Sequence, residues 1–535
     1  MTVLLILIVN YILLSVGLYL VFPKIGVEAW KGLVPGLNFV ECCKAIGRPS
    51  WWATLLLIPI VNFFIYAGIM IPFVKSFDKM SWFQSFLAVV FPIAILYPIS
   101  KDDKAVHTPN YYAKEQAYKS QLEAVRKSGD KREYKKLLRD NPYHKSAGRE
   151  WVESIVFAVF AAAFIRMFLL EAFMIPTPSM EGSLNVGDYL FVSKTRYGMR
   201  TPMTVAQIPL LHNRIPGIGT ESYLKKPNLG YHRFPAFETI DRNDPIVFNW
   251  PVGDSVYISP SRSWTVGQIE REPNIAKRDR ALNKLVKNKD FVVRPIDKKD
   301  HYIKRCVGAP GDSLKIVNRQ VYLNGEAAKN PTNIQFLYNV TFSTSSINMR
   351  NWSDWGIAES DVYGGGKPNT YLMFLDSVQK EKLKSLDPGV IIEHRPQQTD
   401  GNKLFPHNTQ YFGGWTVDDY GPVWIPSKGS TIDLTPQNIA MYYRTIQVYE
   451  GNEVKKQGNK LVINGKVAET YTFKQDYYWA MGDNRHNSED SRAWGFVPHD
   501  HIVGKPMFIF FSTREGSMRK GINWDRLFRS ASKFD

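Results

Sequence analysis

Four stretches in the first 174 residues are nearly free of charged side chains, and nothing of comparable length follows them. Three of them, residues 2–22, 51–74 and 80–100, contain no Asp, Glu, Lys or Arg, and the fourth, residues 154–170, contains only Arg166. An α-helix of about 20 apolar residues crosses roughly 30 Å of hydrocarbon. The sequence therefore predicts three membrane-spanning segments, followed by a final anchor at 151–174.

Two alternatives stay open for these segments. Any one of them could be a buried helix in a soluble core, and the middle pair could form a re-entrant hairpin. A cleaved secretory signal would need a basic start and a small-residue cleavage site, and residues 1–22 have neither. We therefore expect the first segment to remain as an anchor.

Residues 101–150 form a basic connection between the third segment and the final anchor. They contain 13 Lys or Arg and 8 Asp or Glu, in a pattern typical of helices. The positive-inside rule places such a loop in the cytoplasm. We therefore expect everything after about residue 175 to lie on the outer, periplasmic side of a cytoplasmic membrane.

Charge and cysteine content exclude other classes. The formal net charge of +17 leaves only a modest excess after residue 178, 47 basic against 37 acidic residues. That excess fits attraction to anionic lipid headgroups, or a plain solvated surface, better than binding to nucleic acid. Two adjacent cysteines, Cys42 and Cys43, and the distant Cys306 provide neither a disulfide framework nor zinc-ligand spacing.

The chain after residue 179 reads as a predominantly β domain. Short runs rich in Val, Ile, Tyr and Phe alternate with Gly, Pro, Asn and Asp. The pairs Asn324-Gly325 and Asn464-Gly465 are typical of two-residue hairpin turns. Helical periodicity is confined to about 274–286 and 376–386. Residues 331–430 suggest long surface connections or an inserted subdomain.

Common catalytic and metal-binding motifs are missing. The sequence has no H-E-x-x-H, no G-x-S-x-G and no P-loop. Residues 483–494 have the polar density of a calcium loop, but Arg485 and Trp494 stand where oxygen ligands are needed. We therefore expect neither a metal nor an organic cofactor.

One proline-rich segment follows the final apolar stretch at once. Pro176 and Pro178 flank Thr177 and precede Ser179, so no helix continues through them. Ser179 lies nine residues past Leu170, which keeps its hydroxyl within about 30 Å of the membrane surface. Alone, a serine in such a loop is ordinary.

Two further segments change that interpretation. Residues 302–312 read Tyr-Ile-Lys-Arg-Cys-Val-Gly-Ala-Pro-Gly-Asp, and residues 481–498 contain Gly-Asp-Asn-Arg-His-Asn-Ser-Glu-Asp-Ser-Arg-Ala-Trp-Gly. Together with Ser179-Met180, they make the chain resemble bacterial type I signal peptidases (leader peptidases), which are membrane-bound Ser/Lys proteases. Residues 242–248 resemble the family's remaining strand motif, although Asn243 and Pro245 depart from its usual pattern.

The resemblance implies a role for each matching residue. Ser179 would be the nucleophile and Lys304 the general base, and Thr177 with the Ser179 backbone N–H would form the oxyanion hole. Ser488 would orient the lysine. Supporting positions would be Asp490, Arg492, Arg305 and Asp483. Pockets for small substrate side chains would be bordered by Ile175, Pro176, Met180, Leu184, Tyr302 and Ile303.

Elementary chemistry adds one requirement. With a free pKa near 10.4, only about one lysine in a thousand is uncharged at pH 7. A serine hydroxyl needs a base to become a good nucleophile. Lys304 must therefore be buried, which we expect to lower its pKa by roughly 2 to 3 units.

The resemblance also implies a function and a domain order. The chain would remove signal peptides from secretory precursors at the outer face of a bacterial cytoplasmic membrane, through an acyl-enzyme, with membrane lipids as a further partner. The catalytic domain would comprise residues 175–312, with an insertion at about 249–300, and 478–535. A β-rich non-catalytic subdomain, 313–477, would separate these parts.

The insertions have no assigned role at this stage. They could form a lid, a substrate-guiding surface or a docking site for the export channel, or they could be tolerated surface elaboration. Three rival classes also compete: a self-cleaving repressor, an inactive membrane-tethered binding module, and a nonenzymatic envelope scaffold. A self-cleaving repressor would carry a DNA-binding motif, which this chain lacks. An inactive binding module would be expected to have lost Ser179 or Lys304, and both are present. An envelope scaffold would leave the three motifs unexplained.

Overall fold

The computed structural model of this chain describes residues 2–57, 61–143, 147–204, 206–217, 220–260, 262–344, 352, 355–397, 401–458 and 460–531. It divides into two compact units, Met1–Val156 and Phe157–Asp535. The first unit is helical and the second is rich in β-strands. A predominantly β second part is thus confirmed.

The α-helices are α1 (Thr2–Val21), α2 (Leu37–Ile46), α3 (Val61–Lys75), α4 (Trp82–Val90), α5 (Ile93–Lys101), α6 (Tyr111–Ser128), α7 (Lys131–Arg139), α8 (Ala147–Phe168), α9 (Val266–Arg271), α10 (Pro273–Arg278), α11 (Arg280–Lys287), α12 (Ser377–Leu386), α13 (Thr409–Phe412), α14 (Pro436–Arg444) and α15 (Ser491–Trp494).

The β-strands are β1 (Leu170–Met174), β2 (Asp188–Ser193), β3 (Pro245–Asn249), β4 (Ser255–Ile258), β5 (Ser263–Thr265), β6 (Val292–Val293), β7 (His301–Gly308), β8 (Ser313–Val317), β9 (Gln320–Leu323), β10 (Glu326–Ala327), β11 (Phe336–Thr341), β12 (Val362–Gly364), β13 (Thr370–Leu375), β14 (Ile391–His394), β15 (Tyr420–Trp424), β16 (Thr431–Asp433), β17 (Val454–Gln457), β18 (Lys460–Ile463), β19 (Lys466–Ala468), β20 (Thr470–Thr472), β21 (Tyr477–Met481), β22 (Val497–Pro498) and β23 (Ile502–Ser512).

Two helices among the described residues are long and apolar enough to cross a membrane. One candidate span is Ile8–Ile25 and the other is Gly148–Phe168. They correspond to the first and last predicted segments. The predicted helical character of the basic connection is also confirmed, because α6 and α7 lie within it.

The prediction for residues 51–74 is wrong as a single helix. Residues 50–57 form a 3-10 helix, residues 58–60 lie outside the described part of the chain, and α3 begins at Val61. Helix α3 has 15 residues, fewer than the roughly 20 that a membrane span needs. In the described part of this segment, no single helix is therefore long enough to span.

Residues 80–100, predicted to span the membrane or to belong to a re-entrant hairpin, form a bent pair of helices. The segment consists of α4 and α5, whose axes differ by 113°. Pro92 precedes α5, and Phe91 has an extended φ of −144°. Proline disfavours a helical conformation at the preceding residue and lacks a backbone N–H. The pair is thus either a broken span or a re-entrant loop.

The final predicted anchor, 151–174, is too long at its C-terminal end. Helix α8 ends at Phe168, and the residues after it form β1, which pairs with β2 along its whole length. Glu171 is one reason why the helix does not continue to residue 174, because its carboxylate forms ion pairs with Arg166 and Lys194 at 2.8 and 2.7 Å. The chain therefore passes directly from the candidate span into the main sheet.

Seven antiparallel strands form that sheet, in the order β1-β2-β23-β3-β7-β21-β22. The central strand β3 is buried at every position, as expected for its sequence Pro-Ile-Val-Phe-Asn. Its proline is the first residue, where no ladder donor is lost within the strand. In the register of β3 with β7, Ile246 lies opposite Lys304.

The region between β7 and β21 builds separate sheets. One has the order β10-β9-β8-β15, and another has the order β12-β13-β11-β14 with its own apolar core around Val340, Met373 and Leu375. Both predicted hairpin turns are confirmed, because Asn324-Gly325 joins β9 to β10 and Asn464-Gly465 joins β18 to β19. All four turn residues have positive φ, as type I′ turns require.

Candidate active site

Ser179 lies in a short turn that the surrounding sequence imposes. Thr177 is extended, and Pro178 begins a one-turn 3-10 helix that ends at Met180. The backbone N–H of Asn484 donates to the carbonyl of Ser179 at 3.2 Å. The serine is 8% exposed, so the turn holds its hydroxyl at the edge of the interior.

Lys304 reaches that hydroxyl from strand β7. Its Nζ donates to Ser179 Oγ at 2.5 Å, across 125 residues of sequence. The lysine is 3% exposed and lies in the middle of the sheet between β3 and β21. The structure thus brings together the two residues that sequence comparison placed in the catalytic roles.

Burial determines the protonation of this amine. Desolvation lowers the pKa of Lys304 from 10.5 to about 8, although the charges of Asp490, Glu489 and Asp483 act to raise it. The Tyr302 ring lies 5.7 Å from Nζ and supplies only a weak cation–π attraction. The predicted requirement for a desolvated base is therefore met at this position.

Two ion pairs lie behind the Ser179–Lys304 pair. Arg305 donates from Nε and Nη2 to the carboxylate oxygens of Asp483 at 2.7 and 2.6 Å. Arg492 contacts Asp490 in the same two-pronged way, at 3.0 and 2.8 Å. Burial acts to raise the pKa of Asp490, but Arg492 holds it below its usual value. Such paired forks fix geometry, and both lie where the sequence predicted support.

Ser488 is close to this arrangement but does not contact the amine. Its Oγ is buried and has no hydrogen-bond partner among the described residues. It nevertheless lies beside the Asp490 carboxylate, where the hydroxyl helps to lower the pKa of that group. A Cβ at Gly482 would overlap both the Ser488 side chain and the Ser179 carbonyl. The predicted bond between Ser488 and Lys304 is therefore absent from the described contacts.

The Ser179–Lys304 pair opens into a cleft of about 240 Å³. Predicted pocket residues that line it are Ile175, Pro176, Met180, Tyr302 and Ile303, and the exposed Thr177 lies at its edge. Leu184 does not line the cleft; it is fully buried in the apolar cluster that includes Met180 and Leu190. A cavity of this size is below the roughly 300–1,000 Å³ of drug-binding pockets, which suits small side chains.

Sequence reasoning missed several residues at this site. The cleft is also lined by Phe173, Arg262, Asp300 and His301, which lie outside the three motifs. Backbone contacts such as the one from Asn484 leave no signature in side-chain type. Gly482 belongs to the third motif, but only the structure explains why glycine is needed there. A Cβ at this position would overlap the Ser488 side chain and the Ser179 carbonyl.

One group among the described residues could hold a metal ion. His394, Asp418 and His486 place their ligand atoms within 4.8 Å of one another. The Leu337 N–H donates to His486 Nδ1 at 3.2 Å, so the ring proton is on Nε2 and faces Asp418 at 2.7 Å. A protonated nitrogen has no free lone pair for a metal, and the trio therefore fits a structural His–Asp pair better.

Comparison with known proteins identifies related sequences. A family model described as "Signal peptidase, peptidase S26" matches residues 148–363 and 444–511, together just over half of the chain. A second model, of a family of unknown function, matches residues 30–107. Its match coincides with the helical first unit and leaves the catalytic candidates outside.

Three curated relatives carry the name Signal peptidase I. The protein of Haemophilus influenzae is 25% identical over 387 residues, covering 72% of this chain and 76% of the relative. That of Helicobacter pylori strain J99 is 23% identical, covering 71% and 90%. That of Buchnera aphidicola from Baizongia pistaciae is 22% identical, covering 72% and 84%. The similarity thus extends well beyond the short motifs.

Proposed function

The chain belongs to the signal peptidase family, peptidase S26, and is therefore a serine endopeptidase; on this premise we propose that it removes N-terminal signal peptides from exported precursor proteins. Ser179 is the nucleophile and Lys304 the general base. The observation that carries the proposal is the 2.5 Å contact between Lys304 Nζ and Ser179 Oγ in a buried setting that favours a neutral amine.

The proposed reaction proceeds in two stages. Neutral Lys304 takes the proton of Ser179 as Oγ attacks the carbonyl carbon of the scissile bond. The resulting ammonium then donates that proton to the leaving amine, and the signal peptide remains esterified to Ser179. A water molecule, deprotonated by Lys304, attacks the ester and restores the serine.

The negative charge on the carbonyl oxygen needs donors. The first N–H groups of a helical turn lack intrahelical acceptors, which makes the Ser179 N–H a suitable donor. The Thr177 hydroxyl is exposed at the edge of the cleft and is the proposed second donor. Donors of this kind typically contribute about 10²- to 10³-fold to the rate.

The proposed location is the outer face of a bacterial cytoplasmic membrane, with more than one membrane segment. Ser179 follows the end of the candidate span at Phe168 by few enough residues to stay within about 40 Å of the lipid. A precursor held by its own apolar segment presents its cleavage site at the same surface. Confinement of both reactants raises their effective concentration, with lipid headgroups as the shared partner.

Incubation with a precursor tests this function. We expect the full-length protein in detergent to cleave a precursor that has alanine at the first and third positions before the cut, and sequencing of the new N-terminus identifies the bond. Binding of the precursor without cleavage would instead support an inactive tethered module. Absence of both would overturn the proposal.

The pKa of Lys304 predicts the pH profile of this activity. With a pKa of about 8, about one tenth of the amine is neutral at pH 7 and about nine tenths at pH 9. We expect kcat/KM to rise about tenfold per pH unit below pH 8 and to level off above pH 9. Initial rates between pH 6 and 10 measure this, and a flat profile from pH 6 would contradict the assignment of the base.

Ser488 is the proposed base-orienting residue on the strength of the family resemblance; its buried hydroxyl makes no hydrogen bond among the described contacts and lies beside Asp490. We expect Ser488→Ala to lower kcat by about 10- to 1000-fold with little change in KM. Ser488→Thr keeps a hydroxyl and should recover part of that loss. Equal kcat for wild type and Ser488→Ala would remove Ser488 from the mechanism.

A further inference from the structure

Three cavities in the second unit follow one another and share lining residues. The catalytic cleft shares His301 with a pocket of about 290 Å³. That pocket is lined by Phe160, Phe164 and Met167 near the C-terminal end of the candidate membrane span. On another side, the cleft shares Arg262 with a groove of about 770 Å³. The cleft therefore borders both a pocket beside the span and a larger groove.

The 770 Å³ groove is built largely from chain segments outside the catalytic motifs. One wall comes from β5 and α9, with Trp264 and Arg271, and belongs to the insertion at about 249–300. Another wall includes Tyr443 and Lys456, from the region between β7 and β21. Trp494, which follows the catalytic loop, also lines it.

Arg262 is fixed where the groove meets the cleft. Its Nη2 donates to Glu489 Oε2 at 2.8 Å, and its guanidinium lies 4.2 Å from the centre of the Trp264 ring. Gln268 of α9 also donates to Glu489, at 2.5 Å. Glu489 stands directly between Ser488 and Asp490, so the insertion is attached to the catalytic loop at the point where the two cavities join.

We propose that this groove binds the first residues of the mature protein, immediately after the cleavage site. The inference rests on the proposed function. A precursor held in the membrane reaches the cleft from the side of the candidate span, so the residues before the cut lie toward the 290 Å³ pocket. The residues after the cut leave in the other direction, which leads past Arg262 into the groove.

The composition of the groove fits an extended polypeptide of varied sequence. Its volume lies within the roughly 300–1,000 Å³ of binding pockets, and aromatic rings such as Trp264 and Tyr443 line it together with charged groups. Arg271 and Lys456 make no ion pair within 4.0 Å among the residues that the structure describes, in contrast to Arg262, while Glu270 is the one lining carboxylate without such a pair, which leaves an excess of one positive charge. Acidic side chains in the mature segment should therefore bind more tightly than basic ones.

Photo-crosslinking tests the direction of the bound chain. The full-length Ser179→Ala variant is mixed with precursors that carry a photoreactive residue either four positions after or four positions before the cleavage site, and the adducts are mapped by mass spectrometry. We expect the first probe to label residues 262–275 and 440–456, and the second to label the cleft or the end of α8. Labelling of the α8 end by the first probe would overturn the proposal.

A kinetic comparison tests the contribution of the groove to the reaction. Two precursors share all residues up to the cut, but one has a long acidic mature segment and the other ends two residues after the cut. We expect the ratio of kcat/KM, long over short, to fall about tenfold when Arg271→Glu and Lys456→Glu are combined. The control Arg278→Glu reverses an exposed charge on the same insertion outside the groove, and should leave the ratio unchanged.

The outcomes separate the two proposals. If the wild-type protein cleaves both precursors but the ratio is equal in all variants, the groove has no role in binding and only the present inference fails. If the wild-type protein cleaves neither precursor, the proposed function fails.

Discussion

Ser179→Ala is expected to lower kcat/KM for precursor cleavage by on the order of 10⁵-fold, because no other group occupies the position of its hydroxyl. Ser179 Oγ is the atom that Lys304 contacts, and it faces the cleft that borders the predicted small-residue pockets. Without this oxygen, no ester with the signal peptide can form, and both stages of the proposed reaction are lost. Quantitative mass spectrometry of processed precursor measures the loss.

The fold should survive this substitution. The change removes one oxygen from a residue whose hydroxyl has a single hydrogen bond among the described contacts, to the Lys304 amine, which costs about 1 to 3 kcal/mol of unfolding free energy. Ser193→Ala is a matched control: it removes another buried serine hydroxyl, bonded to Thr195 at 3.1 Å, on strand β2 outside the cleft. We expect both variants to show similar thermal unfolding, while only the Ser193 variant cleaves. Cleavage by Ser179→Ala at the wild-type rate would remove the proposed nucleophile.

Lys304→Met is expected to have the second large effect, a loss of cleavage on the order of 10⁴-fold. Methionine keeps an unbranched, flexible side chain of similar length and removes only the base. The variant should also lack the rise of activity toward pH 9 that the wild-type protein shows. Residual activity that still follows this pH profile would assign the titration to another group.

Lys304→Met is also expected to change the stability of the protein, and here the change is an increase. The folded pKa of about 8 lies below the ordinary value of 10.5, so between these pH values the unfolded state binds more protons than the folded state. The free energy of unfolding of the wild-type protein therefore rises with pH across this window. Lys304→Met should lack this contribution and should be more stable by up to about 3 kcal/mol at pH 7.

Lys299→Met provides the matched control for both readouts. Lys299 is equally buried, its pKa is also lowered to about 8 by desolvation, and its Nζ contacts His501 and the Pro251 carbonyl outside the cleft. We expect this variant to lose a similar part of the alkaline gain in stability and to retain cleavage. Chemical denaturation at pH 7 and pH 10 measures the difference. Loss of cleavage in both variants would point to a general effect of buried lysines on the fold.

Local signals explain which parts of the fold could be predicted. Uninterrupted apolar composition identified α1 and α8, because about 20 such residues satisfy one simple condition of length and hydropathy. Asn-Gly pairs identified two hairpin turns, because few residues tolerate positive φ at both positions. These features depend on the residues themselves and their immediate neighbours.

The failed predictions share a cause. Composition alone did not place the break at Pro92 or the early start of β1 after Phe168, because hydropathy averages over a segment and does not register a single backbone constraint or a distant partner. Residues 170–174 are apolar enough to extend the helix, yet they pair with β2, which supplies backbone hydrogen bonds that a helix end would lack. The family resemblance placed Leu184 at a substrate pocket, and packing buried it in the core instead.

The sequence by itself determined the chemical groups of this protein: a serine after a stiff proline turn, a lysine in a strand, and two further motifs that provide its paired charges. Only the tertiary structure decided that Lys304 Nζ meets Ser179 Oγ, that burial brings the pKa of this amine to about 8, and that Arg262 joins a second groove to the cleft. The physical reason is that desolvation and contact depend on what surrounds an atom, and here the surroundings come from strands far apart in the chain.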